Sequence, residues 1–220
     1  MRATGYIFCM RSKPLTDRVA LSHPQTGPTV NGLDRVALNE TLGKLRAQRN
    51  HGKIRYRARN RWLDGGHTRT TIRDFDIDGV AHLDRARPHV LESEILETIG
   101  GNDNAMGPLE MLLAALASCI TTTLVWQASV RGEHLDAVET DIEGDIDIAG
   151  SLGIDDNAQP GYRELRISVN LESDVQDSVL RELVDVATRL SPVLGTIGCA
   201  TTVSVTTTAK PAVPGQAEIV

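Results

Sequence analysis

The chain has 220 residues, of which 40% are hydrophobic and 24% charged, and its formal net charge is -6 at pH 7. This length suffices for one sizeable domain or two small ones with a self-sufficient core, and we expect one. The acidic balance argues against a nucleic-acid or anionic-membrane partner, because the average surface would repel both. Aromatic residues make up only 3% of the chain, so aliphatic side chains must fill the core.

The three cysteines, Cys9, Cys119 and Cys199, are widely spaced and contain no CxxC pair. An odd number at this spacing indicates neither a disulfide scaffold nor a structural zinc site. The six histidines also lack metal-ligand spacing, so we expect no metal and no cofactor. The N-terminal apolar stretch is too short for a signal peptide, and a reducing cytoplasm is the predicted location.

The two ends of the chain differ in composition from its middle. Residues 1–33 and 209–220 are rich in loop-forming residues and lack periodicity, which predicts flexible extensions around a domain at 34–208. Apolar residues at helical spacing after Asp34 predict a short amphipathic helix that this residue caps and that ends before His51.

Arginine alternates with other residues, several of them apolar or aromatic, between positions 54 and 62, which is strand spacing. A turn at 64–66 leads into a second strand at 67–75, and residues 89–96 form a third strand or an irregular segment. The arginine row is a candidate nucleic-acid surface. We favour electrostatic pairing with the acidic face of a later strand, residues 139–147.

The segment LEMLLAALASCITTTLVW, residues 109–126, is the most hydrophobic part of the chain. Pro108 suits a first helical turn and Gly132 a helix end, so we predict a helix from about 108 to 131. Its uncharged part has the length of a membrane span. Its Ser, Thr and Gln residues, and the amphipathic strands that follow it, favour the central helix of a soluble fold.

Four further elements are predicted after this helix. Alternating apolar and polar residues indicate half-buried strands at 138–148 and 162–172. A second helix is predicted to follow, with Ser173 as its cap and Gln176 three residues later. The SPVLG segment is predicted to end this helix. Residues 201–208 are predicted to close the chain as a strand.

Cys119, inside the hydrophobic helix, has two interpretations from the residues alone. A cysteine among apolar neighbours is commonly a small core residue. A reactive cysteine needs a stabilised thiolate, and Cys119 lies about three turns inside the helix, beyond the reach of the helix dipole. Glu110 is a poor neighbour, because nine residues of helix separate the two by roughly 13 Å along the axis. An arginine or a second subunit would have to supply the activation.

The segments GPLEMLLAALASCITTTLVWQA, GYRELRISVNLES and LVDVATRLSPVLGTIGCATTVSV resemble the OsmC/Ohr family of osmotically inducible and organic hydroperoxide resistance proteins. The likeness covers roughly residues 39–207, and RARNRWLDGGHTRTTI is similar to a branch with an extra N-terminal helix. The resemblance implies an α+β, OsmC-like fold with antiparallel sheets around long central helices. It also implies an intertwined homodimer with active sites at the dimer interface.

The same resemblance implies roles for particular residues. Cys119 matches the peroxide-attacking cysteine. Arg69 matches the arginine that steadies the thiolate, with Arg61 as a competitor, and Glu110 lies one place from the usual acidic position.

The second cysteine of the family falls on Ser191, so this chain resembles a branch without the usual resolving thiol. Cys199, eight positions later, is the possible replacement.

The implied function is a thiol-dependent peroxidase that reduces organic hydroperoxides through Cys119 in oxidative stress defence. The alternative is a noncatalytic OsmC-like domain that senses oxidation or binds an apolar ligand. The expected partners are a second copy of the chain, a small-molecule hydroperoxide and an external thiol reductant, with neither nucleic acid nor a membrane.

Overall fold

The structure, a computed structural model, describes residues 28–48, 51–83, 85–199 and 201–207. It combines antiparallel sheets with helices, so the predicted α+β class is confirmed. The strands are β1 Thr29–Val30, β2 Leu33–Asp34, β3 Ile54–Tyr56, β4 Arg59–Asp64, β5 His67–Ile72, β6 Phe75–Ile77, β7 Val80–His82, β8 His89–Ser93, β9 Ala137–Ile146 and β10 Tyr162–Glu172. The helices are α1 Arg35–Ala47, α2 Pro108–Arg131, α3 Ile148–Ser151, α4 Asp177–Leu190 and α5 Pro192–Gly198.

Helix α2 has the predicted bounds because both of its ends carry strong local signals. Pro108 stands in the first turn, where its missing N–H costs nothing. Gly132 ends the helix at φ 84°, a left-handed conformation that glycine adopts without strain, and its N–H donates to the carbonyls of Ala128 and Ser129. One stripe of the helix is fully buried at four-residue spacing: Leu116, Ile120, Leu124 and Ala128.

The main core lies between α2, α4 and the hairpin of β9 and β10. The two strands pair antiparallel, with Val138 opposite Leu171 and Ile142 opposite Ile167. Every second residue therefore points toward the helices, as the alternation predicted. The fully or nearly fully buried members of this core are Leu124, Ala128, Leu135, Leu183 and Ala187.

The arginine row does not pair with the acidic strand within this protomer, so that prediction is wrong. The row is split between two sheets: β3 pairs with β6, and β4 pairs with β5. Arg57 binds Asp76 of the adjacent β6 at 2.6 Å, and Arg166 of β10 binds Glu143, its direct neighbour across the hairpin. In both cases the carboxylate on the next hydrogen-bonded strand is the closer partner.

Two predictions for the C-terminal part are also wrong, those for the cap of α4 and for the last strand. Helix α4 begins at Asp177 and not next to Ser173, whose hydroxyl donates to the His134 carbonyl at 2.6 Å and thus serves a loop. The SPVLG segment ends α4 at Leu190, as predicted, and Ser191 then caps the further helix α5. Residues 201–207 form no strand.

The N-terminal side of the packed domain reaches further than predicted. Strands β1 and β2 form a small hairpin in which Val30 is 1% exposed. The Asn31 side chain donates to the Ser129 hydroxyl and the Glu133 carbonyl, and it accepts from the Leu135 N–H at 2.9 Å. Packing therefore begins by Pro28, six residues before the boundary predicted at 34. Residues 1–27 of the N-terminal extension predicted at 1–33, and the whole extension predicted at 209–220, lie outside the described residues.

Asn31→Ala tests whether this hairpin is an integral part of the domain. The substitution removes three hydrogen bonds to α2 and the loop after it, and alanine is strained at the φ of 51° found there. We expect the free energy of unfolding in urea to fall by about 2 kcal/mol. The control Asn170→Ala, at an exposed position of β10, should change it by less than about 0.5 kcal/mol. Equal unfolding midpoints for both variants would contradict the packing role.

Candidate functional site

Cys119 lies in the middle of α2, next to Ile120 of the buried stripe, and is itself half-buried. Cys119 forms no disulfide within the described residues. The rotation of the helix directs the Cys119 side chain toward the junction of α4 and α5. The sulfur is thus neither sealed in the core nor fully in solvent, which is the setting that a reactive thiol requires.

Ser191, at that junction, is the hydrogen-bond partner of Cys119. Its hydroxyl donates to the Cys119 Sγ at an Oγ–Sγ distance of 3.2 Å. Ser191 is 2% exposed, and its Oγ accepts from the Leu194 N–H at 3.3 Å as the cap of α5. The position that corresponds to the second cysteine of the family therefore touches the candidate thiol, but it carries a hydroxyl.

An open groove of about 360 Å³ lies beside this pair. Thr122 and Thr123 stand one helical turn beyond Cys119, and Pro192 directly follows Ser191, so the groove lies one helical turn from Cys119, which does not itself line it. Its walls are mostly apolar and suit the hydrocarbon part of a ligand. The lining residues are Thr122, Thr123, Trp126, Gln127, Leu190 and Pro192.

Glu110 caps the start of α2. Its Oε2 accepts from the Gly107 N–H at 2.7 Å, and nine residues of unbroken helix separate it from Cys119. The Tyr162 hydroxyl donates to the neighbouring Leu109 carbonyl at 3.1 Å. Burial, with a smaller contribution from the Glu110 charge, raises the pKa of Tyr162. In the described protomer Glu110 orders the first turn of α2 and makes no contact with the candidate thiol.

Arg69 lies on β5, in the sheet of β4, β5 and β8. Its guanidinium binds Glu92 on β8 at 2.7 Å, and His67 Nε2 binds the other oxygen of Glu92 at 2.7 Å. The hydrogen bond from Arg69, followed by that from His67, holds the pKa of Glu92 below its usual range. Arg61 lies opposite Arg69 on β4 and is exposed. The structure therefore pairs Arg69 with Glu92, and not with Cys119 of the same chain.

Cys199 is the residue that follows the last turn of α5. Ser191 stands at the opposite end of that helix, so the two lie about 12 Å apart along its axis. Cys199 would need a rearrangement of α5 to reach the Cys119 sulfur, and its resolving role stays a prediction.

Glu94 is a buried site residue that sequence reasoning missed. It is 2% exposed, and its carboxylate accepts from the backbone and side chain of Asn102 and from the Asn104 N–H at 2.9–3.1 Å. These hydrogen bonds, that from Asn104 above all, hold the pKa of Glu94 below its usual range. Glu94 fixes the loop that leads into α2. The signal was a single acidic residue before a loop with two asparagines, which is too common to be diagnostic.

Two features of the described residues bear on other functions. In the described parts of the chain, His, Cys, Asp and Glu form no group of three that could hold a metal ion. Helix α2 has the length and composition to cross a membrane, and 17% of its most apolar 18-residue window is buried in the protomer. The core helix of a soluble protein passes the same test, so this is weak evidence for a membrane span.

Comparison with known proteins finds a family match for the C-terminal half of the chain. Residues 100–206 match the family model described as OsmC-like protein. The solved structures that resemble the chain include an OsmC-like protein from Mycoplasma pneumoniae, with 16% identity over 65% of this chain and 86% of that one and a TM-score of 0.48. They also include an organic hydroperoxide resistance protein OsmC from Legionella pneumophila, with 18% identity over 65% and 88% and a TM-score of 0.43. No curated protein matches the sequence.

The resemblance predicted from the sequence is therefore confirmed over residues 100–206, which match the OsmC-like family model. This segment contains α2 with Cys119, the β9 and β10 hairpin, α4, and α5 with Ser191.

Glu94→Gln tests the ordering of the loop before α2. A carboxylate with a lowered pKa stabilises the fold above the ordinary glutamate value of 4.5, and this contribution is lost as the pH falls below it. We expect Glu94→Gln to lower the midpoint of thermal unfolding at pH 7 by about 3 °C. The difference from wild type should shrink below pH 4.5. The control Glu97→Gln, an exposed residue in the next turn, should have no effect, and a pH-independent difference for Glu94→Gln would contradict the assignment.

Proposed function

We propose that this protein reduces organic hydroperoxides at Cys119 and that an external thiol restores it. The position of Cys119 carries the proposal: a half-buried thiol, hydrogen-bonded by Ser191, lies one helical turn from an apolar groove. The match of residues 100–206 to the OsmC-like family model supports the same assignment. The groove would receive the organic part of the hydroperoxide, while the peroxide oxygen approaches the sulfur.

The proposed reaction has an oxidising and a reducing half. The Cys119 thiolate attacks the terminal peroxide oxygen, an S–O bond forms as the O–O bond breaks, and the departing alkoxide takes a proton to become an alcohol. Cys119 is left as a sulfenic acid. One external thiol displaces water to form a mixed disulfide, and a second releases the Cys119 thiol together with an external disulfide. Two external thiols are thus oxidised for each hydroperoxide reduced.

The need for an external thiol follows from the neighbours of Cys119. Ser191 has no redox chemistry, and Cys199 stands at the far end of α5. A cytoplasmic location belongs to the proposal, because a reducing compartment supplies such thiols. An oxidising compartment would leave the cycle without its reductant.

We extend the proposal to a homodimer that completes the site. Only one stripe of the apolar helix α2 is fully buried in the protomer and most of its other residues are partly exposed, and Trp62 of β4 is 68% exposed. Apolar surface of this extent is typical of an interface. In such a dimer, Arg69 of one copy would approach Cys119 of the other, where its positive charge would stabilise the thiolate.

The first test is consumption of cumene hydroperoxide in the presence of a dithiol. We expect turnover by wild type and a loss of about a hundredfold or more in Cys119→Ser, because the nucleophile is gone. The matched control Cys199→Ser should keep most of the activity. Loss of activity in Cys199→Ser, with a peroxide-induced intrachain disulfide in wild type on a nonreducing gel, would identify Cys199 as the resolving thiol instead.

Absence of consumption above the Cys119→Ser level would end the enzyme proposal. The protein would then fit the alternative drawn from the sequence, a noncatalytic OsmC-like domain that senses oxidation or holds an apolar ligand in the groove beside Cys119.

The second test asks whether two copies share a site. Cys119→Ser and Arg69→Ala should each be impaired alone, and subunit exchange between them should restore about one quarter of wild-type activity. Half of the mixed dimers are heterodimers with one complete site. Sedimentation would verify the dimer. A mixture no more active than its components would place Arg69 outside the partner's site.

A further inference from the structure

We propose that Ser191 is a positioning residue that sets the reactivity of Cys119 by donating its hydroxyl hydrogen to the sulfur. The inference deepens the proposed function and rests on it, because it concerns the thiol that would meet the peroxide. Ser191 lies where a second cysteine would be expected from the family resemblance, but its contact with Cys119 is a hydrogen bond and cannot become a disulfide.

The direction of the hydrogen bond follows from the surroundings of the Ser191 hydroxyl. A serine hydroxyl has one hydrogen and two acceptor positions. The Oγ accepts from the Leu194 N–H at 3.3 Å, which leaves its hydrogen to donate to the Cys119 Sγ at 3.2 Å. Since Ser191 is 2% exposed, bulk water does not compete for that hydrogen. Capping of α5 thus holds the donor in place.

Such a donor favours the thiolate over the thiol. A hydrogen bond to a charged acceptor is roughly twice as strong as one between neutral groups, and the effect is greater away from water. Cys119 lies three turns inside α2, where the positive end of the helix dipole does not reach. In the described protomer Arg69 is paired with Glu92. Within the same chain, Ser191 therefore supplies the stabilisation of the Cys119 thiolate that neither the helix dipole nor Arg69 provides.

Cys119 keeps partial access to solvent beside this contact. Ser191 contacts the sulfur, while the residue as a whole is half-buried and lies one helical turn from the groove. A hydroxyl cannot form a disulfide, so a sulfenic acid at Cys119 keeps its hydrogen-bonding neighbour until an external thiol arrives.

The test is the pH profile of Cys119 alkylation by iodoacetamide, followed by mass spectrometry on the full-length protein across the range in which thiols titrate. Ser191→Ala removes the donor, and we expect its profile to move to higher pH, with the rate at pH 7 reduced about three- to tenfold. Ser191→Thr retains a hydroxyl and should restore the wild-type profile. The control Ser129→Ala removes a buried hydroxyl from α2, ten residues from Cys119. It should leave the alkylation profile unchanged.

Ser191→Gly guards against an effect of misfolding. Glycine at a helix N-cap costs only a few tenths of a kcal/mol relative to serine, so this variant removes the hydroxyl with α5 retained. Its profile should match that of Ser191→Ala. Wild-type profiles for both variants would overturn the proposal. Alkylation needs no peroxide, so a protein without peroxidase turnover can still pass this test, and the failures of the two proposals are distinguishable.

Discussion

The rotation of α2 about its own axis is the constraint on which the site depends. Leu116, Ile120 and Leu124 repeat every four residues and are fully buried, and Leu124 packs in the core with Leu183 and Ala187 of α4. Cys119 precedes Ile120 and is therefore turned to the edge of the stripe, where α4 ends and α5 begins. The same hydrophobic packing that stabilises the domain also brings the sulfur to Ser191.

The break between α4 and α5 supplies the other half of this arrangement. Pro192 cannot continue the hydrogen-bonding pattern of α4 but is favourable in the first turn of a new helix. Ser191 takes the extended conformation between the two helices, caps α5 and turns its hydroxyl inward. A continuous helix across this point would not place that hydroxyl against α2.

The surface of α2 connects the site to assembly. A helix that is hydrophobic on all sides is stable in water only when all sides are covered, and the protomer buries one stripe fully and the rest only in part. The remaining apolar surface and the exposed Trp62 are the physical reason for the proposed homodimer. They also explain why a hydropathy criterion alone selects this helix as a membrane span. The pairing of Arg69 with Glu92 describes the isolated protomer.

Local chemistry made much of this structure predictable from the sequence. Proline and glycine set the bounds of α2, Asp34 capped α1 as expected, and alternation identified β9 and β10. The errors arose where a residue type has two uses. Ser173 is a residue type that commonly caps helices, but its hydroxyl donates to the His134 carbonyl. Arg57 of the arginine row binds Asp76 on an adjacent strand, and not a carboxylate of the acidic strand that its spacing matches. Such choices depend on tertiary neighbours.

The candidate site was predictable in part. Cys119 and position 191 could be singled out from the segments that carry the family resemblance, but their contact depends on how α2, α4 and α5 pack. Glu94 left no usable signal, because its importance lies in burial and in three donors from a loop. The predicted roles of Arg69 and Glu110 require a second copy of the chain or, for Glu110, a kink at the start of α2 that brings it to Cys119.

The most direct test of the central claim is the identity of the residue that a hydroperoxide oxidises first. Wild-type protein would be treated with an equimolar amount of cumene hydroperoxide in the presence of dimedone, which traps sulfenic acids, and then mapped by peptide mass spectrometry. The account predicts a dimedone adduct on Cys119 that requires the peroxide. Unmodified Cys119 with an adduct on Cys199, or with no adduct on any cysteine, would contradict it.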